Sequence, residues 1–159
     1  MKTQPSLSRR RYLSATGLAV LGAAGVVSGS SSAGQQALGA IEQPDNISDV
    51  SFITRAFEMR DEALATGDQG YGAVVVRDGR IVGQAPSHVV VNGDPTAHAE
   101  MEAILDAARR LGSRDLRGCI LYSSSRACPM CEAAAYWAAI DRMVFGRGAT
   151  DAGGPVLCR

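Results

Sequence analysis

The first apolar block of this chain has the spacing of a helix. Ser48 and Asp49 suit a helix start, Gly67 suits a stop, and apolar residues recur at helical intervals between them. The pattern therefore predicts a helix that begins near Ser48-Asp49, with one apolar face toward a core. Four residues form this predicted face: Val50, Ile53, Phe57 and Leu64.

A β-hairpin is predicted next. Two runs rich in valine and isoleucine, Tyr71 to Arg77 and Arg80 to Ala85, are separated by Asp78-Gly79. Asp-Gly is a preferred two-residue hairpin turn, so these runs predict two antiparallel strands. Pro86 to Thr96 is rich in turn-forming residues and predicts a loop.

The rest of the chain alternates helices with short strands. The predicted helices are Ala97 to Leu111, stopped by Gly112, and Pro129 to Ile140, with proline in its first turn. The predicted strands are Cys119 to Ser123 and Arg142 to Phe145. The apolar face predicted for the helix from Ala97 to Leu111 consists of Met101, Ile104, Leu105 and Ala108.

The order of these elements, αββαβαβ, predicts an α/β fold. A strand–helix–strand unit implies parallel strands, whereas the hairpin supplies an antiparallel pair, so the sheet should be mixed and covered by helices. The chain has 159 residues, of which 46% are hydrophobic, and this is enough for one domain. No apolar stretch reaches the roughly 20 residues of a stable membrane span.

Residues 1–33 have the composition of an export signal. Four basic residues and no acid accompany an apolar stretch from Ala15 to Val27, and Ser31-Ser32-Ala33 offers a cleavage site of small residues. The run Ser8-Arg9-Arg10-Arg11-Tyr12-Leu13 is typical of the twin-arginine route. The sequence thus predicts a periplasmic or extracellular protein, and a disordered basic tail is the alternative interpretation.

Residues 34–46 are the predicted linker, because they contain Gly and Pro44 and have no apolar period. Residues 47–159 are the predicted domain. Without residues 1–33 the chain has 12 basic and 16 acidic residues. A net negative charge disfavours a nucleic-acid partner, which requires a basic surface.

The few histidines and cysteines include a pattern of metal ligands. His98 lies at the start of one predicted helix, and Cys128 and Cys131 lie at the start of another, on one helix face. The positive end of a helix favours thiolate over thiol. One imidazole and two thiolates leave the fourth position of tetrahedral zinc for water, which is typical of a catalytic site.

Glu100, two residues after His98, is the candidate proton carrier. Its carboxylate can take a proton from water and deliver it to a ring nitrogen and to departing ammonia. A lone histidine is commonly structural, and a lone Cys-x-x-Cys can be a redox pair or a disulfide. Together the residues match the signature of zinc deaminases, H-x-E followed downstream by P-C-x-x-C, with Ala127 in place of the proline.

Four stretches within residues 47–151 extend this match. They are Asp94-Pro95-Thr96-Ala97-His98-Ala99-Glu100, Leu121-Tyr122-Ser123-Ser124, Cys128-Pro129-Met130-Cys131 and Tyr136-Trp137-Ala138. These stretches resemble the cytidine-deaminase-like superfamily, in its guanine deaminase and tRNA adenosine deaminase branch. The resemblance implies that His98, Cys128 and Cys131 bind zinc, that Glu100 moves protons, and that the Ala99 backbone contacts substrate. It also implies a three-layer α/β/α sandwich that forms a homodimer.

The chain departs from the pattern of that family at three places. Ser125, Arg126 and Ala127 replace the cysteine, glutamate and proline that commonly precede the first metal-binding cysteine. Ser87 and His88 stand near the family's substrate-binding asparagine, so His88 is a candidate pocket residue or a plain loop residue. The chain ends soon after the last predicted strand, which predicts a C-terminally truncated fold.

Four further residues have weaker assignments. Trp137 is a candidate for the substrate pocket or for the core, whereas Tyr136 is predicted in the core. Cys119 begins a buried strand and is interpreted as a small hydrophobic residue. Cys158 is interpreted as a free thiol or an intermolecular disulfide.

The combined prediction is zinc-dependent hydrolytic deamination of a nucleobase or nucleoside, with guanine or guanosine favoured by the resemblance. Deamination of tRNA adenosine is an alternative, which the export signal and the negative charge disfavour. A second alternative is a thiol–disulfide protein that uses the Cys-x-x-Cys, although this function leaves His98 and Glu100 unexplained. A third alternative is a non-catalytic zinc-binding member of the fold.

Overall fold

In the computed structural model of the chain, residues 38–157 are described, so the predicted export signal and Cys158 lie outside this part. Three helices and five strands form within it. They are α1 Asp49–Ala65, β1 Gly72–Arg77, β2 Arg80–Pro86, α2 Ala99–Leu111, β3 Cys119–Ser123, α3 Pro129–Trp137, β4 Arg142–Phe145 and β5 Thr150–Gly153. None of the described helices is long and apolar enough to cross a membrane.

The five strands form one mixed sheet in the order β2-β1-β3-β4-β5. β3 and β4 are parallel and are connected through α3, while the other neighbours are antiparallel. The predicted hairpin is confirmed, since Asp78 and Gly79 both have positive φ, as its tight turn requires. β5 was not predicted, because Thr-Asp-Ala-Gly has no apolar alternation; it is an exposed strand beside β4.

Helices cover both faces of the sheet, which confirms the three-layer α/β/α sandwich. The side chains of β1 alternate between the layers: Ala73 and Val75 pack with α2 and α3, whereas Val74 and Val76 pack with α1. β1 lies between β2 and β3, and its side chains are buried on both faces because helices cover the two sides of the sheet. This arrangement places the starts of α2 and α3 on the same side of the sheet.

The predicted apolar faces of two helices are partly wrong. On α1, Val50 and Leu64 are exposed, and the buried residues are Phe52, Ile53, Ala56, Met59 and Ala63. On α2, Leu105 is exposed, and the buried face is formed by Ala99, Ala103, Ile104 and Ala107 together with Glu100. The buried face of α2 consists mostly of alanines, whereas the buried face of α1 combines alanines with Phe52, Ile53 and Met59.

Two glycines permit the helices to approach the sheet closely. A β-carbon on Gly72 would lie 2.2 Å from both the carbonyl oxygen of Ala56 and the amide nitrogen of Arg60 in α1. A β-carbon on Gly83 would lie 2.5 Å from the amide nitrogen of Ala107 in α2. Because these neighbours are backbone atoms, a larger residue fits only if the whole helix moves.

We expect Gly72→Ala to destabilise the domain by about 3 kcal/mol, because α1 must move away from β1 and loses contacts along its buried face. Urea unfolding followed by circular dichroism measures this difference. Gly148→Ala is the matched control, since the nearest atom to its added β-carbon is the Thr150 hydroxyl oxygen at 3.8 Å. Equal stability of the two variants would contradict the close packing of α1 on β1.

The described part of the predicted linker, residues 38–46, contains no helix or strand, yet it contacts the domain. The side-chain amide of Gln43 donates a hydrogen bond to the Ile81 carbonyl and accepts one from the Ile81 N–H, at 2.9 and 2.8 Å. Ile41 packs against the core on the α1 face. This segment therefore covers part of the free edge of β2.

Candidate metal centre and active site

The three predicted ligands meet where α2 and α3 begin. His98 is the N-cap residue of α2 and Cys128 is the N-cap residue of α3, and neither side chain makes a capping hydrogen bond. Cys131 lies one turn into α3 and is fully buried. Pro129 occupies the first turn of α3, as its fixed φ favours. The N-cap side chains are therefore available to a ligand.

The distances within this group fit a tetrahedral metal. The sulfur atoms of Cys128 and Cys131 are 3.6 Å apart, and they lie 3.7 and 3.6 Å from Nδ1 of His98. Zinc–sulfur bonds of about 2.3 Å and zinc–nitrogen bonds of about 2.0–2.1 Å require separations of about 3.8 and 3.6 Å in a tetrahedron. One nitrogen and two sulfurs are also donors that zinc prefers.

A turn before α2 fixes the histidine. The Asp94 carboxylate accepts hydrogen bonds from the hydroxyl and the backbone N–H of Thr96, at 2.6 and 2.8 Å. These two bonds lower the pKa of Asp94. The Thr96 carbonyl in turn accepts from the His98 N–H at 2.8 Å. The Asp-Pro-Thr sequence is thus a side-chain-stabilised turn that delivers His98 to the start of α2.

Glu100 lies beside the metal-ligand group. It is 6% exposed, and its carboxylate Oε2 lies 3.6 Å from Sγ of Cys131. Burial raises the pKa of this carboxyl group, against the lowering effects of its own backbone N–H, Cys131 and His98. A buried carboxyl group with a raised pKa is suited to proton transfer near neutral pH.

The electrostatics of Cys131 differ from the sequence expectation. Burial raises the pKa of its thiol, and the neighbouring Glu100 charge and Cys128 raise it further. The N-terminus of α3 therefore does not by itself make this sulfur a thiolate. A bound divalent cation would, because it stabilises the negative charge directly.

A cavity of about 190 Å³ opens onto this group. Its wall is formed by Gln69, Tyr71, His98, Glu100, Ser125, Arg126 and Cys128. A larger groove of about 360 Å³ lies between residues 42–46 and α1, but it contains no histidine or cysteine. The larger groove is therefore not the candidate active site. The smaller cavity is, because His98, Cys128 and Glu100 line it.

Gln69 and Tyr71 are wall residues that the sequence analysis missed. They precede β1, whose start pairs with the end of β3, so that Ala73 lies opposite Ser123. This register brings residues 69–71 next to the loop that leads to Cys128. The place of Gln69 and Tyr71 in the wall follows from the antiparallel pairing of β1 with β3, and local sequence patterns do not predict that pairing.

The other predicted pocket residues do not line this cavity. Nδ1 of His88 faces α2, 3.9 Å from the Glu102 carboxylate, and makes no hydrogen bond with a described residue. Trp137 is 69% exposed at the far end of α3. Ala99, the first residue of α2, is fully buried. Tyr136 is 45% exposed, so its predicted core position is wrong, whereas the core position of Cys119 is confirmed.

A second carboxylate, Asp68, holds the loop before α2. Its two oxygens accept hydrogen bonds from the Ser87 hydroxyl and from the backbone N–H groups of Gln69, Val90 and Val91, at 2.7–2.8 Å. Burial raises the pKa of Asp68, but the four hydrogen bonds outweigh it and lower the pKa to about 2. Asp68 thus joins one wall of the cavity to the loop that precedes His98.

Asp68→Asn should lower the melting temperature at pH 7 by about 5 °C, because an amide has one acceptor oxygen for four donors. The ordinary pKa is 3.8 and the folded-state pKa is about 2. The carboxylate therefore stabilises the fold above about pH 4, and this contribution disappears as the pH falls toward 2. Thermal unfolding from pH 7 to pH 2 should show a smaller acid loss for Asp68→Asn than for the wild type. Asp61→Asn, exposed on α1, should show the wild-type profile.

Comparison with known proteins agrees with this geometry. Residues 47–147 match the family model described as the cytidine and deoxycytidylate deaminase zinc-binding region. The match covers more than half of the chain. The chain belongs to this family. The family is zinc-binding, and the three ligands of the chain have the donors and the separations that zinc requires, so the cofactor is zinc.

Two relatives have substantial identity to this member of the family. A guanine deaminase from Bacillus subtilis is 42% identical over 103 residues, which are 64% of this chain and 66% of the relative. A tRNA-specific adenosine deaminase from Aquifex aeolicus is 38% identical over 94 residues, or 59% of this chain and 62% of the relative. The chain thus spans less than two thirds of the length of each.

Solved structures of the same kinds of protein share the fold. The X-ray structure of the Bacillus subtilis guanine deaminase has a TM-score of 0.57 at 43% identity, over 60% of each chain. A structure from work on A-to-I editing by tRNA:A34 deaminases has a TM-score of 0.58 at 34% identity, over 59% of this chain and 72% of that chain. Both likenesses support the α/β/α architecture.

Proposed function

We propose that this protein is a zinc-dependent hydrolytic deaminase of a nucleobase or nucleoside, with guanine or guanosine as the favoured substrate. The observation that carries the proposal is that His98, Cys128 and Glu100 line one cavity, while the buried Cys131 completes the metal-ligand group beside it. In the reaction, water adds to the ring carbon that bears the amino group. The carbon–nitrogen bond then breaks, a carbonyl forms and ammonia leaves.

These four residues divide into metal ligands and a proton carrier. His98, Cys128 and Cys131 hold zinc, which supplies the Lewis acidity that makes water nucleophilic near neutral pH. Glu100 accepts one proton of that water and donates it to a ring nitrogen; it then takes the proton of the added hydroxyl group and delivers it to the amino group, which leaves as ammonia. Because Glu100 is buried beside the metal ligands, these transfers take place away from bulk solvent.

A small substrate fits the cavity better than a large one. The volume of about 190 Å³ is below the roughly 300–1,000 Å³ of typical drug-sized ligand sites. The base is therefore the part of the substrate that enters the cavity. The 42% identical relative is a guanine deaminase, which favours guanine or guanosine among the bases.

Ammonia release tests the proposal. The zinc-loaded full chain should release ammonia from one of guanine, guanosine, adenine, adenosine, cytosine or cytidine, and Glu100→Ala should not. Zinc bound without release from any of these would favour a non-catalytic zinc-binding protein. A Cys128–Cys131 disulfide without zinc would favour the thiol–disulfide hypothesis.

Deamination of adenosine in tRNA is the second candidate, because a 38% identical relative has this activity in its name. The described residues contain 11 arginines and no lysine against 16 acidic residues. Such a surface attracts the phosphate backbone of RNA poorly. Inosine formation in added tRNA, together with a salt-sensitive shift in RNA mobility, would favour this candidate over a free base.

We also propose that residues 1–33 export the protein through the twin-arginine route. The order of basic, apolar and small residues supports this proposal. Fractionation of cells expressing the full chain should place the processed protein outside the cytoplasm. Replacement of both Arg9 and Arg10 by lysine should leave the unprocessed protein in the cytoplasm, and processing that continues would contradict this route.

A homodimer is a further part of the proposal. Leu105 on α2 and Tyr136 and Trp137 on α3 are exposed apolar side chains on the helical layer that carries the site. Their burial in a second copy would be favourable. Sedimentation equilibrium should give twice the mass of the chain, and a monomer at micromolar concentration would contradict the proposal.

A further inference from the structure

The segment just before β1 lies between the two loops that lead to the metal ligands. The Tyr71 carbonyl accepts a hydrogen bond from the N–H of Ser87, in the loop before α2, at 3.0 Å. The next residue, Gly72, is joined to Ser124, in the loop before α3: its N–H donates to the Ser124 hydroxyl at 3.1 Å, and its carbonyl accepts from the Ser124 N–H at 2.9 Å. This segment is therefore fixed on both sides and forms a firm part of the cavity wall.

Within this segment, Gln69 has a fixed backbone and an unused side chain. Its N–H donates to Oδ1 of Asp68 and its carbonyl accepts from the Tyr71 N–H, both at 2.7 Å. The Ser87 hydroxyl donates to the same Asp68 oxygen, so Gln69 lies beside Ser87. The Gln69 side chain is exposed on the wall of the cavity and makes no hydrogen bond with any residue of the described range 38–157. Its carboxamide therefore has one acceptor oxygen and two N–H donors available to a ligand.

The neighbouring polar groups cannot replace this carboxamide. Ser87 is fully buried and its hydroxyl is already bonded to Asp68, so it does not reach a ligand in the cavity. The other polar groups of the wall are imidazole, thiol, carboxyl, hydroxyl and guanidinium groups. Only a carboxamide presents an acceptor and an N–H donor on neighbouring atoms of one plane. Gln69 is thus the wall residue suited to pair with the edge of a flat ring.

The complement of a carboxamide is a lactam, the –CO–NH– group of a base ring. Deamination requires the carbon that bears the amino group to face Glu100, so a second contact must hold the ring elsewhere. Guanine has its amino group at C2 and its lactam at N1–H and O6, and guanosine keeps both. Adenine and adenosine contain no lactam, and in cytidine the sugar replaces the hydrogen at N1. A carboxamide in the wall therefore favours guanine and guanosine over these bases.

We propose that Gln69 is a specificity-determining residue that recognises the lactam of the base through two paired hydrogen bonds. This inference rests on the proposed deaminase function. The carboxamide oxygen accepts from N1–H and its N–H donates to O6, while the amino group at C2 faces Glu100. A base without the lactam leaves both groups of Gln69 unpaired, and a site built for a hydrogen bond discriminates against such a base.

The test compares guanine with 2-aminopurine, which has the same amino group at C2 but lacks the oxygen at C6 and the hydrogen at N1. The measured quantity is the ratio of kcat/KM for guanine to kcat/KM for 2-aminopurine, with the zinc-loaded full chain. Gln69→Leu should lower this ratio by about 10- to 100-fold, the usual effect of losing two neutral hydrogen bonds. Since the intrinsic reactivities of the two purines cancel in this comparison, the change reports recognition alone. The backbone hydrogen bonds of residue 69 remain in the variant.

Gln84→Leu is the matched control. Gln84 lies on β2 outside the cavity wall, where its carboxamide accepts from Nε of Arg55 at 3.0 Å. This variant should keep the wild-type ratio. The proposal would be overturned by an unchanged ratio in Gln69→Leu, by an equal fall in Gln84→Leu, or by a wild-type enzyme that deaminates adenine in preference to guanine.

Binding separates this inference from the proposed function. In the zinc-loaded Glu100→Gln variant, in which the ligand is not consumed, fluorescence titration gives the Kd of 2-aminopurine, and its displacement by guanine gives the Kd of guanine. Adding Gln69→Leu should weaken guanine binding by about 10- to 100-fold and change 2-aminopurine binding by less than about threefold. If no compound releases ammonia but this difference persists, the deaminase proposal fails and the assignment of Gln69 stands. If ammonia is released but Gln69→Leu leaves guanine binding unchanged, or if neither purine binds, the assignment of Gln69 fails.

Discussion

Glu100→Gln should lower kcat for deamination of the preferred substrate by roughly 10²- to 10⁴-fold, which is the usual contribution of a positioned general acid–base. The amide keeps the size of the carboxyl group but can neither take a proton from water nor return it to the substrate. Because Glu100 is only 6% exposed, solvent cannot easily replace it as a proton carrier. Steady-state ammonia release measures kcat, and zinc content should remain that of the wild type.

The matched control is Glu102→Gln, the same substitution two residues further along α2. Glu102 does not line the cavity, and its carboxylate lies beside His88. This variant should keep kcat within about twofold of the wild type. Two results would contradict the assignment of Glu100: a kcat near the wild-type value, or a parallel loss of zinc, which would make Glu100 a metal ligand.

Cys131→Ser should weaken zinc binding by more than the roughly 10- to 100-fold that the loss of an outer-sphere partner costs, and ammonia release should become undetectable. Cys131 supplies one of the three ligands, and a serine hydroxyl replaces its thiolate with a much weaker zinc ligand. Zinc content after dialysis measures the loss. In the cobalt-substituted wild type, absorption from sulfur-to-metal charge transfer reports two thiolates, and Cys131→Ser should lose about half of it.

Cys119→Ala is the control for this change. Cys119 is equally buried in the same core layer, but it is not part of the ligand group, so zinc content should stay unchanged. Thermal unfolding adds an independent measurement. Zinc links the starts of α2 and α3, and a ligand present at 100 times its Kd stabilises the folded state by about 2.7 kcal/mol. A chelator should therefore lower the melting temperature of the wild type and of Cys119→Ala but not of Cys131→Ser.

The ligand residues could be predicted from the sequence because each half of the site is local. A Cys-x-x-Cys at the start of a helix has its sulfurs on one face whatever the rest of the chain does. His98 and Glu100 are likewise placed by one turn and one helix start. The sequence spacing between His98 and Cys128 does not by itself require the histidine half and the cysteine half of the site to meet. They meet because β3, α3 and β4 form a parallel unit whose helix packs on the same face as α2.

The wall of the cavity could not be predicted in this way. Gln69 and Tyr71 face the site only because β1 pairs with β3 in an antiparallel register. Asp68 appears in the sequence as one acid among 16, and its four hydrogen bonds come from residues up to 23 positions away. Arg126 was noticed as a departure from a family pattern, but its place in the wall of the cavity depends on the same strand pairing.

The sequence by itself determined the order of the elements before β5, the hairpin turn and the metal ligands, because propensity, turn chemistry and short spacings act over a few residues. The tertiary structure alone decided which helix faces are buried. Apolar periodicity favours large residues such as Leu64 and Leu105, but burial depends on how closely a helix approaches the sheet. The missing side chains of Gly72 and Gly83 let α1 approach β1 at Ala56 and α2 approach β2 at Ala107, while Leu64 and Leu105 lie on the exposed sides of these helices.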